Sequence, residues 1–173
     1  MGEIKVLNNT MKSKFVKYYM DIAELTAKLS YAKRLHVGAV IVKGNQVLSS
    51  GYNGMPSGWE NVCENKVYCE DGEYKEQLPK DSNEWKNFKL VSKPEVMHAE
   101  RNALDKVAAS NESTQGAIMF CTHSPCLECA KSIYNTGITE IYYKHDYRSG
   151  AGIEFLKKTG VHVKKYSEPE ISV

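Results

Sequence analysis

The order of hydrophobic and polar positions along the chain predicts alternating helices and strands. Over residues 13–32, apolar side chains recur at roughly helical spacing between Lys, Asp and Glu, which predicts an amphipathic helix. The following stretch, VGAVIVKGNQVLSSGYNG, predicts a β-hairpin. Its first strand is almost continuously apolar, which indicates burial on both faces; Gly44-Asn45 forms the turn, and the second strand covers 46–52.

Residues 53–96 have a different character. Gly, Asn, Glu, Lys and Pro dominate this region, with Trp59 and Trp85 as its large apolar anchors. We expect a long irregular insertion here. Such segments are uncommon inside a compact domain and usually carry function or disorder.

The alternation of elements returns after the insertion. HAERNALDKVAAS, PCLECAKSIYNTG and GIEFLKKTG predict helices, whereas GAIMFCT, ITEIYY and VHVKKY predict strands. This order predicts a layered α/β sheet with parallel pairs beyond the initial hairpin. We find no internal repeat or low-complexity tract, and we expect one domain over residues 1–173.

Composition narrows the classes of partner. The net charge is only +2 and the basic residues are scattered, so we expect no nucleic-acid partner and no membrane partner, and we expect small ligands instead. No apolar run approaches the ~20 residues that span a bilayer, and no signal peptide is recognisable, which favours a cytoplasmic protein. The five cysteines are an odd number, and a reducing cytosol seldom keeps structural disulfides.

The candidate chemistry starts from two cysteines at the beginning of a predicted helix. Cys126 and Cys129 are three positions apart, a spacing used by disulfides, redox pairs and metal sites. Backbone N–H groups and the helix dipole favour thiolates there. A catalytic zinc needs three protein ligands and one open position, and His98, which begins another helix, is a suitable third ligand.

Glu100 completes a recognisable pattern. It follows His98 by two residues, near enough to reach a metal-bound water without binding the metal itself. H-x-E followed by P-C-x-x-C is the pattern of zinc deaminases, and both parts are present in this chain. A structural zinc with Cys121 or His123 as the fourth ligand remains an alternative, although Glu100 would then have no task.

On these residues the chain resembles the cytidine deaminase superfamily and, within it, the deoxycytidylate (dCMP) deaminases. The resemblance covers VGAVIV, GYNGMPSG, HAERNAL, SPCLECAKSI and the closing GITEIYYKHDYRSGAGIEFLKKTGVHV. HAE and PCxxC mark only the superfamily, whereas GYNGMPSG is narrower. The resemblance implies a three-layer α/β/α fold with a five-stranded mixed sheet, in agreement with the predicted element order.

The same resemblance implies hydrolysis of dCMP to dUMP and ammonia. His98, Cys126 and Cys129 would hold Zn²⁺, which lowers the pKa of its bound water toward neutrality. Glu100 would carry a proton from this water to ring N3 and later protonate the departing amino group.

Substrate-binding residues are also implied. The resemblance assigns Asn53 to the sugar 3′-hydroxyl and Ser124 to a position beside the base. Each has another interpretation, because Asn before Gly is a common turn residue and Ser124 could cap the helix.

The arginines point to the phosphate. The chain has twenty lysines but three arginines, and arginine has the planar fork that grips phosphate. Arg34 and Arg148 are predicted in loops at the sheet edge where the site would open, and we expect one of them to bind phosphate. Tyr147, next to Arg148, is a further substrate-binding candidate. For Arg101, inside the helix, we expect a salt bridge.

Regulation follows from the resemblance as well. Enzymes of this family are commonly hexamers that are activated by dCTP and inhibited by dTTP with Mg²⁺. We therefore expect a homo-oligomer with a nucleotide site formed by GYNGMPSG and the HAERNA helix. The candidate residues are Gly54, Met55, Pro56, Gly58 and Asn102.

A second, structural zinc remains open. Some relatives use a cysteine five residues before the Val-Gly-Ala strand, where this chain has Ala32. Cys63 and Cys69 could still meet a histidine in the insertion.

Two other functions stay in competition. A deaminase with the same chemistry could act on a free nucleoside, guanine or adenosine in tRNA, although the absence of a basic stripe argues against a polynucleotide. A non-catalytic zinc-stabilised binding module is the other alternative, against which Glu100 argues.

Overall fold

Helices and strands alternate in the computed structural model, which describes residues 11–70, 73–75 and 88–168, with the backbone alone at 68–70 and 73–75. The helices are α1 (Ser13–Ala27), α2 (Ala99–Ala108), α3 (Leu127–Asn135) and α4 (Ala151–Lys158). The strands are β1 (Gly38–Lys43), β2 (Gln46–Tyr52), β3 (Glu64–Glu70), β4 (Glu73–Lys75), β5 (Phe88–Ser92), β6 (Ile118–His123), β7 (Glu140–His145) and β8 (His162–Lys165). Within these ranges, no helix has both the length and the apolar character needed to cross a membrane.

The main sheet has five strands in the order β2-β1-β6-β7-β8. Strand β1 is antiparallel to both of its neighbours, β2 and β6, whereas β6, β7 and β8 are mutually parallel. The predicted hairpin followed by parallel pairs is therefore confirmed, and the sheet is mixed as the resemblance implied.

Helices cover both faces of this sheet. Successive side chains of a strand point to opposite faces. Val40 and Val42 of β1 therefore pack with α1, whereas Ala39 and Ile41 pack with α2, α3 and α4. All of β1 except its last residue, Lys43, is buried, as its continuous apolar run predicted. The three-layer α/β/α prediction is confirmed.

Helix α1 is shorter than its sequence pattern predicted. It ends at Ala27, and the expected continuation to residue 32 is wrong. Ser30 explains the ending, because its hydroxyl donates to the carbonyl of Asn53 at 2.7 Å and draws the chain toward the end of β2. Leu25 and Leu29, counted in the helical pattern, are 60% and 59% exposed and lie outside the core of this chain.

The insertion is the larger correction. Strands β3, β4 and β5 form a separate antiparallel sheet in the order β4-β3-β5, so the expectation of irregular structure over 53–96 is wrong for these residues. Polar residues are frequent in these strands, and β5 exposes Phe88 and Val91. Backbone pairing between β3 and β5, whose partners are 20 to 28 residues apart in sequence, stabilises this sheet, and local composition does not reveal it. Trp85 lies outside the described residues.

Two glycines allow a helix to contact a neighbouring backbone segment directly, with no side chain between the two backbones. A Cβ atom on Gly51 of β2 would lie 2.2 Å from the carbonyl oxygen of Ala99 and 2.5 Å from the backbone nitrogen of Ala103. A Cβ on Gly152 of α4 would lie 2.1 Å from the carbonyl oxygen of Pro125. Helix α2 thus lies directly on β2, and α4 lies directly on the segment that leads into α3.

Gly51→Ala is expected to destabilise the protein, because the methyl group would meet backbone atoms that cannot rotate away. The expected loss in free energy of unfolding is about 1–3 kcal/mol or more, measured by urea denaturation. Gly150→Ala is the matched control, since nothing lies within 4 Å of the position that its methyl group would take and its φ of −73° suits alanine. Equal stability of Gly51→Ala and wild type would contradict this description of the β2–α2 contact.

Candidate active site

One edge of the main sheet gathers the ends of several elements. Because β1 runs antiparallel to β6, the start of β1 lies at the same edge as the end of β6. The backbone N–H of Gly38 donates to Thr122 Oγ1 at 3.1 Å. The backbone N–H of Ser124 donates to the carbonyl of His145 at 2.8 Å, which joins the residue after β6 to the end of β7.

A cavity of about 570 Å³ opens at this edge. It is bordered by the α1–β1 loop, the residue after β2, the small sheet, the start of α2 and the segments after β6 and β7. The predicted site residues that line it are Arg34, Asn53, His98, Glu100, Ser124, Cys126, Tyr147 and Arg148.

His98, Cys126 and Cys129 lie together as a group that could hold a metal ion. His98 Nδ1 is 3.5 Å from Cys126 Sγ and 3.4 Å from Cys129 Sγ, and the three ligand atoms all lie within 4.8 Å of one another. Tetrahedral zinc with Zn–N of about 2.1 Å and Zn–S of about 2.3 Å separates nitrogen and sulfur by roughly 3.6 Å. The donor atoms and their spacing therefore fit zinc.

The local fold explains why these side chains meet. His98 and Cys126 are the N-cap residues of α2 and α3, both with extended backbone, so the two helices begin at the same point. Cys126 Sγ accepts a hydrogen bond from the backbone N–H of Cys129 at 3.5 Å. Helix α3 thus directs an N-terminal N–H group and the positive end of its dipole toward the Cys126 sulfur.

Cys126 and Cys129 shift each other's pKa in opposite directions. Hydrogen bonds from Cys129 and then His98 lower the pKa of Cys126 to about 3, while the contact with Cys126 raises the pKa of Cys129. The hydrogen bond between His98 and Cys126 raises the pKa of His98. A cation at this point would stabilise the second thiolate as well.

The two residues weighed as a fourth protein ligand lie outside this group. Among the described residues the group contains three members, and neither Cys121 nor His123 belongs to it. Cys121 is fully buried, which raises its pKa well above the ordinary value. His123 has its Nδ1 3.1 Å from Thr122 Oγ1 and its ring 5.1 Å from that of His145. The structure therefore gives no support to a four-ligand structural zinc.

The second zinc gains no support either from the part of the chain that is described. Cys63 is buried but belongs to no group of three potential ligands there. The side chain of Cys69 lies outside the described residues.

Glu100 is a buried carboxyl group beside the metal-ligand group. It lies in the first turn of α2, is 4% exposed and lines the cavity. Burial raises its pKa, which favours the protonated form over the charged one. A carboxyl group that lines the cavity beside the metal-ligand group is suited to accept and release a proton during a reaction.

Asn53 and Ser124 shape the wall of the cavity. Asn53 Oδ1 accepts from the backbone N–H of Val37, and its Nδ2 donates to the carbonyl of Leu35, both at 2.8 Å. Ser124 Oγ accepts from the backbone N–H of Tyr147 at 2.8 Å. Each side chain keeps further hydrogen-bonding capacity for a ligand. The alternative that Ser124 caps α3 is wrong, because the N-cap is Cys126.

The three arginines separate as expected. Arg34 and Arg148 line the cavity. Arg148 lies with its guanidinium carbon 5.8 Å from the centre of the Tyr147 ring, within reach of a cation–π interaction. Arg101 instead donates from Nε to Asp105 Oδ1 at 2.8 Å, a salt bridge within α2.

A second cavity of about 340 Å³ lies next to the first. All five predicted regulatory residues line it, namely Gly54, Met55, Pro56, Gly58 and Asn102. Paired backbone hydrogen bonds between Gly54 and Met97, at 2.9 and 3.1 Å, connect the residue after Asn53 to the residue before His98.

Sequence reasoning missed several lining residues. Glu64, Ser92 and Lys93 of the small sheet region line the first cavity. They carried no recognisable signal, because their strands were not predicted. The second cavity is further lined by aromatic and basic side chains that the sequence analysis did not assign to it, including Tyr31, Trp59 and Lys106.

Comparisons with known proteins agree with this geometry. A family model described as "Cytidine and deoxycytidylate deaminase zinc-binding region" matches residues 13–145. The chain is 32% identical to the deoxycytidylate deaminase of Schizosaccharomyces pombe over 95% of its length, and 32% identical to that of Saccharomyces cerevisiae over 93%. The chain spans about half the length of these two relatives, 48% of each.

A solved structure is similar over almost the whole chain. The dCMP deaminase of cyanophage S-TIM5, crystallised in complex with dCMP and dUMP, is 40% identical with a TM-score of 0.75, and the match covers 91% of this chain and 100% of that one. The family match, these relatives and the His98, Cys126 and Cys129 group lead to one conclusion: the chain belongs to the zinc-binding cytidine and deoxycytidylate deaminase family.

Proposed function

We propose that this protein hydrolyses dCMP to dUMP and ammonia, with a zinc ion bound by His98, Cys126 and Cys129. The observation that carries the proposal is the buried Glu100 carboxyl group on a cavity that is also lined by His98 and Cys126, two members of the three-ligand metal group. The relatives support the choice of substrate, since the two yeast proteins are deoxycytidylate deaminases and the cyanophage enzyme was crystallised with dCMP and dUMP.

Glu100 is the proton carrier of the proposed mechanism. Zinc bound at the three ligands would supply a Lewis acid that makes a water molecule nucleophilic near neutral pH. Glu100 takes one proton from the water as its oxygen adds to C4 of cytosine, and delivers this proton to N3. It then moves the second proton to the amino group, which leaves as ammonia while the C4 carbonyl forms.

The cavity wall supports recognition of a nucleotide. Asn53 and Ser124 offer the remaining hydrogen-bonding capacity of an amide and a hydroxyl to the sugar and the base. Arg34 and Arg148 are cationic groups on the same cavity, and we assign the 5′-phosphate to one or both of them, with Tyr147 beside Arg148.

We propose further that dCTP activates and dTTP inhibits through the second cavity, with Mg²⁺ accompanying the triphosphate. Gly58 is exposed and has no side chain to cover its backbone, Lys106 is a cation, and Trp59 is an exposed aromatic surface for a base. The Gly54–Met97 bridge lies between the two cavities and supports coupling between them.

We also propose that the protein is a homo-oligomer, with a hexamer as the preferred form. The apolar side chains of Tyr18, Leu25 and Leu29 on the outer face of α1 and just after it are exposed in this chain, which supports association with further copies.

The zinc assignment predicts one zinc per chain and its loss in Cys126→Ala, measured by metal analysis of the purified protein. Glu100→Gln should keep the zinc yet lower kcat by about 10²- to 10⁴-fold, because an amide cannot relay protons. Glu112→Gln, at an exposed position, serves as the control. Full activity in Glu100→Gln would contradict the proposed mechanism.

The phosphate assignment predicts that dCMP is a better substrate than deoxycytidine and that Arg34→Ala or Arg148→Ala reduces this preference. Loss of a charge-assisted hydrogen bond should lower kcat/KM for dCMP by roughly ten- to a hundredfold. Arg101→Ala is the matched control, since Arg101 pairs with Asp105 outside the cavity. Unchanged preference in both cavity variants would exclude these arginines as the phosphate ligands.

The regulatory proposal predicts that dTTP with Mg²⁺ lowers turnover at subsaturating dCMP and that dCTP restores it. Trp59→Ala should raise the dTTP concentration that gives half-inhibition by about five- to a hundredfold, with each rate normalised to the uninhibited rate of the same variant. Trp59→Phe retains an aromatic face and should retain inhibition. Purely competitive inhibition of equal strength in the two variants would show that the second cavity does not mediate regulation.

A further inference from the structure

The loop that carries Arg34 has no regular secondary structure, yet side chains satisfy several of its backbone donors. The loop covers residues 33–37, between α1 and β1. The backbone N–H groups of Lys33 and Arg34 both donate to Glu64 Oε1, at 2.9 and 3.1 Å. At the other end of the loop, Asn53 Oδ1 accepts from the backbone N–H of Val37.

The small sheet holds both the backbone and the side chain of Arg34. Glu64 begins β3 and Ser92 ends β5, and the two residues are direct partners in the β3–β5 register. Ser92 Oγ lies 3.1 Å from a terminal nitrogen of the Arg34 guanidinium group, which donates to it. One pair of cross-strand neighbours therefore contacts the arginine at both ends.

A glutamate is unusual at a buried position unless hydrogen-bond donors surround its carboxylate. Glu64 is 8% exposed and lines the same cavity as Arg34. Burying a carboxylate is costly unless donors compensate for the lost water, and here two consecutive backbone N–H groups do so. A negative charge on a cavity that takes a phosphate would by itself repel the ligand. Any benefit to phosphate binding must therefore come through the arginine loop that Glu64 fixes.

We propose that Glu64, assisted by Ser92, is a positioning residue that fixes Arg34 for the 5′-phosphate, so that the inserted sheet determines the preference for a nucleotide over a nucleoside. This inference rests on the proposed dCMP deaminase function. The hydrogen bonds hold the Arg34 backbone in place before the substrate arrives, and preorganisation of this kind lowers the entropy that binding must overcome.

The test compares Glu64→Ala with Glu64→Gln in the zinc-loaded full chain, with dCMP and deoxycytidine as substrates. The glutamine side chain keeps an oxygen that accepts both N–H groups but removes the charge, whereas alanine removes both. Glu64→Ala should lower kcat/KM for dCMP by about tenfold, mainly through KM, and leave the value for deoxycytidine unchanged. Glu64→Gln should remain within about threefold of wild type for both substrates.

Two further measurements keep the result decisive. Amide hydrogen exchange at Lys33 and Arg34, followed by NMR, should accelerate by about tenfold or more in Glu64→Ala and not in Glu64→Gln. Adding Glu64→Ala to Arg34→Ala should cause little extra loss with dCMP, because the two residues act in series. Ser92→Ala should give a smaller loss with the same substrate preference.

Each contrary outcome has a distinct meaning. Equal losses with both substrates in Glu64→Ala, or the same loss in Glu64→Gln as in Glu64→Ala, would overturn the positioning role. A preference for dCMP that survives intact in Glu64→Ala would overturn the positioning role of Glu64 but not the assignment of the phosphate to Arg34. A wild-type enzyme without preference for dCMP would overturn the phosphate assignment of the proposed function, and the role of Glu64 with it.

Discussion

The site depends on close backbone contact between helices and the elements beneath them. At Gly51 and Gly152, neighbouring backbone atoms lie where a Cβ atom would be, so α2 rests directly on β2 and α4 rests directly on the segment before α3. A rigid contact of this kind fixes the point at which each helix begins. Because His98 and Cys126 are those starting points, the positions of the metal-ligand atoms follow from backbone packing rather than from flexible side chains.

The antiparallel entry of the chain into its sheet completes the cavity. If β1 were parallel to β6, the loop before β1 would lie at the opposite edge, far from the start of α3. In the observed topology this loop and the residue after β2 meet the ends of β6 and β7. The metal-ligand group therefore comes from two helix starts, and the groups proposed to contact the substrate come from loops around them. The metal-ligand group and the groups proposed to contact the substrate thus lie on separate elements at one edge of the sheet.

The sequence was informative where periodicity or motif spacing reports a local structure. The main sheet follows from apolar runs, and the group of His98, Cys126 and Cys129 follows from the pattern of residues at two helix starts. The small sheet and the contact of Glu64 with the Arg34 loop could not be predicted, because they depend on pairing between segments distant in sequence and on a carboxylate in a polar stretch. Asn53 shows an intermediate case. Its position by the cavity was expected, but its amide also holds the loop at Val37, which no local pattern indicates.

These contacts make the residue after β2 a junction between the two cavities. Asn53 accepts the hydroxyl of Ser30 through its carbonyl and the N–H of Val37 through its side chain, while its neighbour Gly54 pairs with Met97 next to His98. A ligand in the second cavity would touch Gly54 and Asn102, and Asn102 donates to the carbonyl of Tyr52 at 2.8 Å. Any displacement of this short segment therefore alters the α1–β1 loop on one side and the start of α2 on the other. Since a hydrogen-bonded backbone resists gradual deformation, two discrete arrangements of residues 52–54 are the simplest physical route for the proposed coupling between the two cavities.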